Sequence, residues 1–203
     1  HIPICLLFLV VAQLSTIPNQ LKQGIETDVV ILARQGLEEI RRSGLLLNNS
    51  DIDLAVSSIG MVVKKGNPKP DISTPENLRE VLLDANKIAV SSSISGRYLV
   101  NELFPKLGIS NQMAAKTLTT GAVIVGQGEA SIGIQQVSEL LPIEGADFVG
   151  RLPDELQYTT TFSAAIIKTT TQEDAAALLI EFLRSSKAAK VIERWGMTPT
   201  NRF

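Results

Sequence analysis

The chain has 203 residues, 44% of them apolar and only 4% aromatic, with 19 basic and 21 acidic side chains and a net charge of −2. That is enough chain for one large domain or two small lobes with a core of Leu, Ile, Val and Ala, and the even charge balance leaves no electrostatic footprint for nucleic acid. One cysteine, Cys5, and one histidine, His1, exclude an internal disulfide and a Cys/His zinc site by count, and a Ser-His-Asp triad would need its imidazole at the first residue.

Residues 2–12 form an apolar run. It is shorter than the about 20 residues that cross a bilayer and lacks the basic leader of a signal peptide, so it reads as a buried strand or helix start. No membrane insertion is expected. Ser15-Thr16-Ile17-Pro18 is a hydroxyl cap with proline in the first turn, predicting a helix over 17–23 closed by Gly24. The β-branched run 28–32 predicts a buried strand, and a helix follows over 36–43. Residues 52–65 form a long extended stretch with Ser57-Ser58-Ile59-Gly60 at its centre. Ser73-Thr74-Pro75-Glu76 starts a helix that runs to about residue 83.

Ile88-Ala89-Val90 is a buried strand, followed by the polar loop Ser91-Ser92-Ser93-Ile94-Ser95-Gly96 and a helix over 97–107. A short helix over 122–127, a strand over 131–136, a helical turn over 138–141 and a strand over 148–150 come next. A second long extended stretch covers 159–168. Residues 173–195 are helical, with a break at Ser185-Ser186 where Ser186 caps a second helix and Trp195 packs beneath the end. Alternating strands and helices predict an α/β fold. Each lobe is a mainly parallel sheet flanked by helices. If the two long stretches each cross between lobes, residues 1–58 with 164–203 make lobe one and 59–163 lobe two, with two hinge crossings and a ligand cleft.

The candidate site gathers where strands end. Four serines fall within 91–95, more than one N-cap needs. Ser93 and Ser95 are candidate anion donors, Gly96 allows close backbone approach, and Arg97 either pairs with a carboxylate or points to solvent. Gln135 and Gln136 end a strand, so alternation sends only one of them to a ligand. Ser15, Thr16, Thr119 and Thr120 either donate to an anion or cap a helix. Thr159, Thr160, Thr161 and Ser163, on the return crossing, and Ser57 and Ser58 either line the cleft or are ordinary strand residues. Glu139 is the nearest acid that could serve as a base, or else an acid on a short helix.

At these residues the chain resembles the type 2 periplasmic substrate-binding proteins, in the molybdate-binding branch. The likeness lies in Thr27-Asp28-Val29-Val30-Ile31, Ser58-Ile59-Gly60-Met61-Val62-Val63, Ser95-Gly96-Arg97-Tyr98, Gly128-Glu129-Ala130-Ser131-Ile132-Gly133 and Trp195-Gly196. It covers about residues 15–199. A narrower likeness, in Pro68-Lys69-Pro70-Asp71-Ile72-Ser73, Ser93-Ile94-Ser95-Gly96, Asn101-Glu102-Leu103-Phe104 and Ile134-Gln135-Gln136, is to a subgroup that includes bacterial aconitate isomerases.

The resemblance implies an extracytoplasmic protein, periplasmic in a bacterium with two membranes, that captures a small anion in an interlobe cleft, without a cofactor or metal. An ABC-type permease is its implied partner. Junctions at Ser15-Thr16, at Ser95 and at Thr119-Thr120 would hold the anion. Gln136 replaces a tyrosine of the molybdate pattern, which argues against molybdate itself, and the subgroup likeness sets carboxylates beside tetrahedral oxyanions as ligands. The subgroup implies an alternative, an isomerase acting on a tricarboxylate. The first strand and loop of the family pattern look abbreviated here, so a member without a ligand is a third reading.

Overall fold

The computed structural model describes residues 9–11 and 17–200. In chain order the elements are β1 (Leu9–Val11), α1 (Ile17–Lys22), β2 (Val29–Ala33), α2 (Arg34–Arg42), β3 (Ile52–Lys64), α3 (Pro75–Asp84), β4 (Ile88–Val90), α4 (Ile94–Tyr98), α5 (Phe104–Lys106), α6 (Ser110–Ala114), β5 (Thr117–Leu118), α7 (Val123–Gln127), β6 (Ile132–Gln136), α8 (Val137–Leu140), β7 (Ala146–Arg151), β8 (Thr159–Ile166), α9 (Glu173–Leu183), α10 (Ser186–Arg194) and β9 (Thr198–Pro199). The chain divides into two compact units, residues 1–56 with 160–203, and Ser57–Thr159. Both β3 and β8 run through a division point, so each strand begins in one unit and ends in the other.

In unit one the strand order is β1-β2-β8-β3, with β9 also on β3. β1 and β2 are parallel, whereas β2 and β8 are antiparallel. Alternation splits the sheet cleanly. Val30, Leu32 and Ala165 face α1 and α2, and Val29, Ala164 and Ile166 face α9. Both faces are covered, which is why the strands read as continuous apolar runs. The α9–α10 junction is capped by Ser185, whose hydroxyl accepts from the Ala188 N–H at 3.2 Å, not by Ser186. The cap needs extended backbone, and Ser185 has it (φ −69°, ψ 157°) while Ser186 is already helical. Ser185→Ala should therefore lower stability by about 1 kcal/mol, read as a shift in urea midpoint, whereas Ser186→Ala should leave that midpoint within error. Trp195, expected to pack beneath the end, is 42% exposed.

Unit one also holds a charge cluster. Arg34, at the start of α2, donates to Asp53 from Nε at 2.8 Å and to Asp51 from Nη1 at 2.7 Å, and Arg41 closes on Asp51. The Ser163 hydroxyl donates to Asp53 at 2.6 Å. Burial works against the ionised form of Asp51, but the hydrogen bonds and charges of Arg34 and Arg41 outweigh it and hold the carboxyl below its ordinary value. Asp53 is likewise depressed against its burial, by the Ser163 and Arg34 bonds. Both groups bind protons less readily folded than unfolded. Their stabilisation is therefore complete above the ordinary aspartate value near 3.8 and is lost as pH falls through the lowered values. A chemical-denaturation series from pH 7 to pH 2 should show this contribution vanish only at the acid end. Because the groups are partly exposed, added salt should shrink it.

In unit two the strand order is β7-β3-β6-β4-β5. β4 is parallel to both β5 and β6, and β3 is antiparallel to β6 and β7. The expectation of mainly parallel lobes thus holds for the strands joined by crossover helices. The crossing strands β3 and β8 supply the antiparallel pairs, because each enters its second unit from the opposite end. One face of this sheet, with Ile59, Met61, Val90 and Ile134, packs on Leu78, Leu82, Leu99, Leu103 and Phe104. The other, with Val62 and Ala89, packs on Ala122, Val125 and Leu140. Gly133 permits that second contact, since a Cβ there would lie 2.7 Å from the Ala122 methyl and 3.0 Å from Val125.

The helix after β4 starts at Ile94, three residues earlier than the spacing predicts, so Ser95 and Gly96 sit in its first turn. It passes through a π turn, Leu99–Leu103, where the Phe104 N–H bonds back to the Leu99 carbonyl. Pro105 explains the widening: it has no N–H to donate, and its ring would clash with the carbonyl four residues back in a regular α-helix. Helix α6 and strand β5 were not legible beforehand, being only five and two residues long.

Candidate functional site

The register of unit two brings four segments to one edge of its sheet. Parallel pairing of Ile88 with both Thr117 and Ile132 aligns the C-terminal ends of β4, β5 and β6. β3 runs the other way, so Ser57 and Ser58, at its entry into the unit, lie at the same edge. Ser91–Ser95 and Thr119–Thr120 follow β4 and β5 there, and Gln135–Gln136 end β6.

The serine segment is the densest part of this edge. The Ser91 and Ser93 hydroxyls are 2.5 Å apart, Ser91 and Ser95 3.1 Å, and Ser93 and Ser95 3.2 Å. Ser93 occupies the N-cap position of α4 with extended backbone, yet its side chain makes no cap bond. Instead the Ser93 N–H donates to the Ser91 hydroxyl at 3.1 Å, and its own hydroxyl turns to Ser91 and Ser95. An ordinary capping serine would do the reverse. Ser95 is fully buried, Ser91 is 7% exposed and Ser93 is half-buried. Ser91, which the sequence pattern placed only in the loop, is thus one corner of the triangle. The Ser-x-Ser-x-Ser spacing was its signal.

At Gly96 the chain approaches itself closely. A Cβ there would lie 1.7 Å from the Ser91 carbonyl oxygen, so the glycine lets the helix backbone close on the serine segment itself. Arg97 is exposed. Tyr98 stacks on Tyr158 with ring centroids 4.9 Å apart and donates to the Leu156 carbonyl at 3.0 Å. Burial, with the charge of Glu102, raises its pKa.

The two glutamines part company. Gln136 is buried and shares the face of Ile132 and Ile134. Gln135 points the other way. Its amide oxygen accepts from the Ala122 N–H at 3.0 Å, and its amide nitrogen donates to Glu139. Gln135 therefore occupies the start of α7, and Glu139 already has a partner. Thr119 and Thr120 are exposed, and the next residue, Gly121, donates its N–H to the Val90 carbonyl at 2.9 Å, tying their loop to the end of β4. Gln157 is a structural residue that no local pattern marks. Its side chain takes the Ile59 N–H at 2.7 Å and donates to the Ile59 carbonyl at 3.0 Å, from 98 residues away.

Ser15 and Thr16 lie outside the described residues. In unit one the arginine that follows β2, Arg34, is committed to Asp51 and Asp53, so it is not a spare cation for a ligand. Among the described residues no group of three or more His, Cys, Asp or Glu side chains is placed to hold a metal ion, and no helix is long and apolar enough to cross a membrane.

Parallel strand ends that present hydroxyls and amides, in a chain of two units joined by crossing strands, belong to the type 2 periplasmic-binding-protein fold. The chain is a member of the bacterial extracellular solute-binding protein family, whose sequence profile matches residues 11–198. It is 38% identical over 187 residues to an aconitate isomerase from a Pseudomonas species, covering 90% of this chain and 71% of that protein. The periplasmic molybdate-binding protein of Azotobacter vinelandii superposes with a TM-score of 0.71 at 19% identity, over 92% of this chain and 84% of that one. A substrate-binding domain from Clostridium difficile gives 0.73 at 20% identity, over 94% and 84%. At those identities the two structures share the fold.

Proposed function

We propose that this protein works outside the cytoplasm as a substrate-binding protein for a small, fully deprotonated anion, a polycarboxylate before a tetrahedral oxyanion, with an ABC-type permease as its partner. The observation that carries this reading is the Ser91, Ser93 and Ser95 triangle, whose N-cap serine does not cap. The three hydroxyls satisfy one another. Their protons rotate freely, so an anion beside Ser93 can draw O–H bonds outward. Bonds to a charged acceptor are roughly twice as strong as neutral ones, which favours that exchange. Gln136 adds an amide, and the loop at Thr119 and Thr120 adds hydroxyls.

The preference for a carboxylate rests on the 38% likeness to an aconitate isomerase and on an amide at Gln136. The same likeness supports a second reading, in which the chain isomerises aconitate. That reaction removes a proton from the carbon next to a carboxylate and returns one at the far end of the allylic system. It needs a base and stabilisation of the enolate-like state. Glu139 would have to leave Gln135 to act.

A thermal-shift panel of citrate, cis-aconitate, trans-aconitate, molybdate, sulfate and phosphate tests both readings. A ligand at a hundred times its Kd should add about 2.7 kcal/mol of stability. Stabilisation by molybdate alone would sink the polycarboxylate preference, and no shift with any anion would sink the binding reading. Interconversion of the two aconitates, followed by ultraviolet absorbance, decides for the enzyme.

A further inference from the structure

We propose that Ser57 is a further ligand donor of this site and sets how many anionic groups the site can hold. The inference rests on the binding reading above. Ser57 is 1% exposed, and among the described residues its buried hydroxyl has no hydrogen-bond partner. A buried hydroxyl without a partner is disfavoured, so such a group calls for an explanation.

Its place supplies one. Strand alternation puts Ser57 on the face of Ile59 and Met61, which pack with Val90, Ile134 and Leu99. Ile59 pairs directly with Gln136, and Gln136 shares that face. Ser57, two residues before Ile59, is therefore the diagonal neighbour of Gln136, with Cα atoms roughly 7–8 Å apart in such a pair. Helix α4, which carries Ser95, contacts β6, and its last residue Tyr98 and the following Leu99 pack with Ile59, Met61 and Ile134 on that face. Ser57, Gln136 and the serine triangle thus converge from three segments on one edge. A donor on β3 in addition to the triangle and Gln136 would give the site room for a second anionic group on the same ligand.

Ser58 is an internal comparison. Its hydroxyl is also buried without a partner among the described residues. Alternation turns it to the opposite face, with Gly60 and Val62, where Gln135 is already engaged by Ala122 and Glu139.

The test measures trans-aconitate and molybdate binding by calorimetry, and the melting point without ligand, for wild type, Ser57→Ala, Ser58→Ala and Ser93→Ala. The expected result is that Ser57→Ala weakens trans-aconitate binding at least tenfold while its ligand-free melting point stays equal or rises, since alanine removes an unsatisfied group. Ser58→Ala should keep affinity within about twofold. If Ser57→Ala binds as wild type while Ser93→Ala does not, the inference falls and the site stands. A fall in the ligand-free melting point alongside lost binding would make Ser57 structural and also overturn it. If wild type binds neither probe, the site reading itself fails and the inference with it.

Discussion

Gly96→Ala should collapse the ligand response and destabilise unit two by roughly 3 kcal/mol or more, the upper end of overpacking effects. The added Cβ would sit 1.7 Å from the Ser91 carbonyl oxygen and 2.7 Å from its carbonyl carbon. Neither atom belongs to a flexible side chain. Relief requires that the backbone of the serine segment move away from the first turn of α4, which separates Ser91 from Ser95. Ser95 is the fully buried corner of the triangle, so the displacement breaks the O···O contacts at 3.1 and 3.2 Å as well. A denaturant melt should show a lowered midpoint, and the panel anion that stabilises wild type should no longer do so. A variant that melts with wild type would show that the helix and the serine segment are not this close.

Ser95→Ala separates donor chemistry from packing at the same place. The substitution leaves the glycine contact intact and removes one hydroxyl from a closed set of three. Ser91 and Ser93 keep each other, so ligand-free stability should fall by only about 1 kcal/mol, the usual net value of one hydrogen bond. Affinity should fall further, by about tenfold to a hundredfold, because a bond to a charged acceptor is worth about 1.5–3 kcal/mol. Ser93→Ala removes the half-buried corner and should match that affinity loss with a smaller change in melting point. Equal losses of stability and affinity in Ser95→Ala would mean that the hydroxyl only supports the loop.

The Arg34 cluster and the serine triangle show two ways of treating charge in one chain. In unit one, Arg34 faces Asp51 and Asp53 and is spent on holding α2 against β3. In unit two, the candidate site has neutral donors, and Arg97, the cation beside it, is exposed. An anion bound by neutral groups keeps its full charge, and the strength of the binding then depends on how well those groups are aligned.

Much of the secondary structure was legible in the residues. The β-branched run before Ala33, the Ser-Thr-Pro-Glu start of α3 and the apolar Ile88–Val90 strand were readable because each carries its own local signal. The helix boundary at Ile94 was not, because serines at 91, 93 and 95 fit a loop as well as a first turn. What decided it was the approach of Gly96 to Ser91, a contact between segments. The same holds for the glutamine pair: alternation alone required that they diverge, and only the sheet said which one is buried.

By itself, then, the sequence determined the alternation of strands and helices, the shortage of cysteine and histidine that rules out a Cys/His zinc site within these 203 residues, and the richness of hydroxyls where strands end. Those properties follow from residue type and spacing along the chain. Only the tertiary structure decided that Ser93 declines its cap, that Gln135 and Glu139 occupy each other, and that Ser57, beside the strand of Gln136, is buried without a partner among the described residues. Each of these depends on register between strands far apart in sequence, and register is set by packing both faces of the sheet at once.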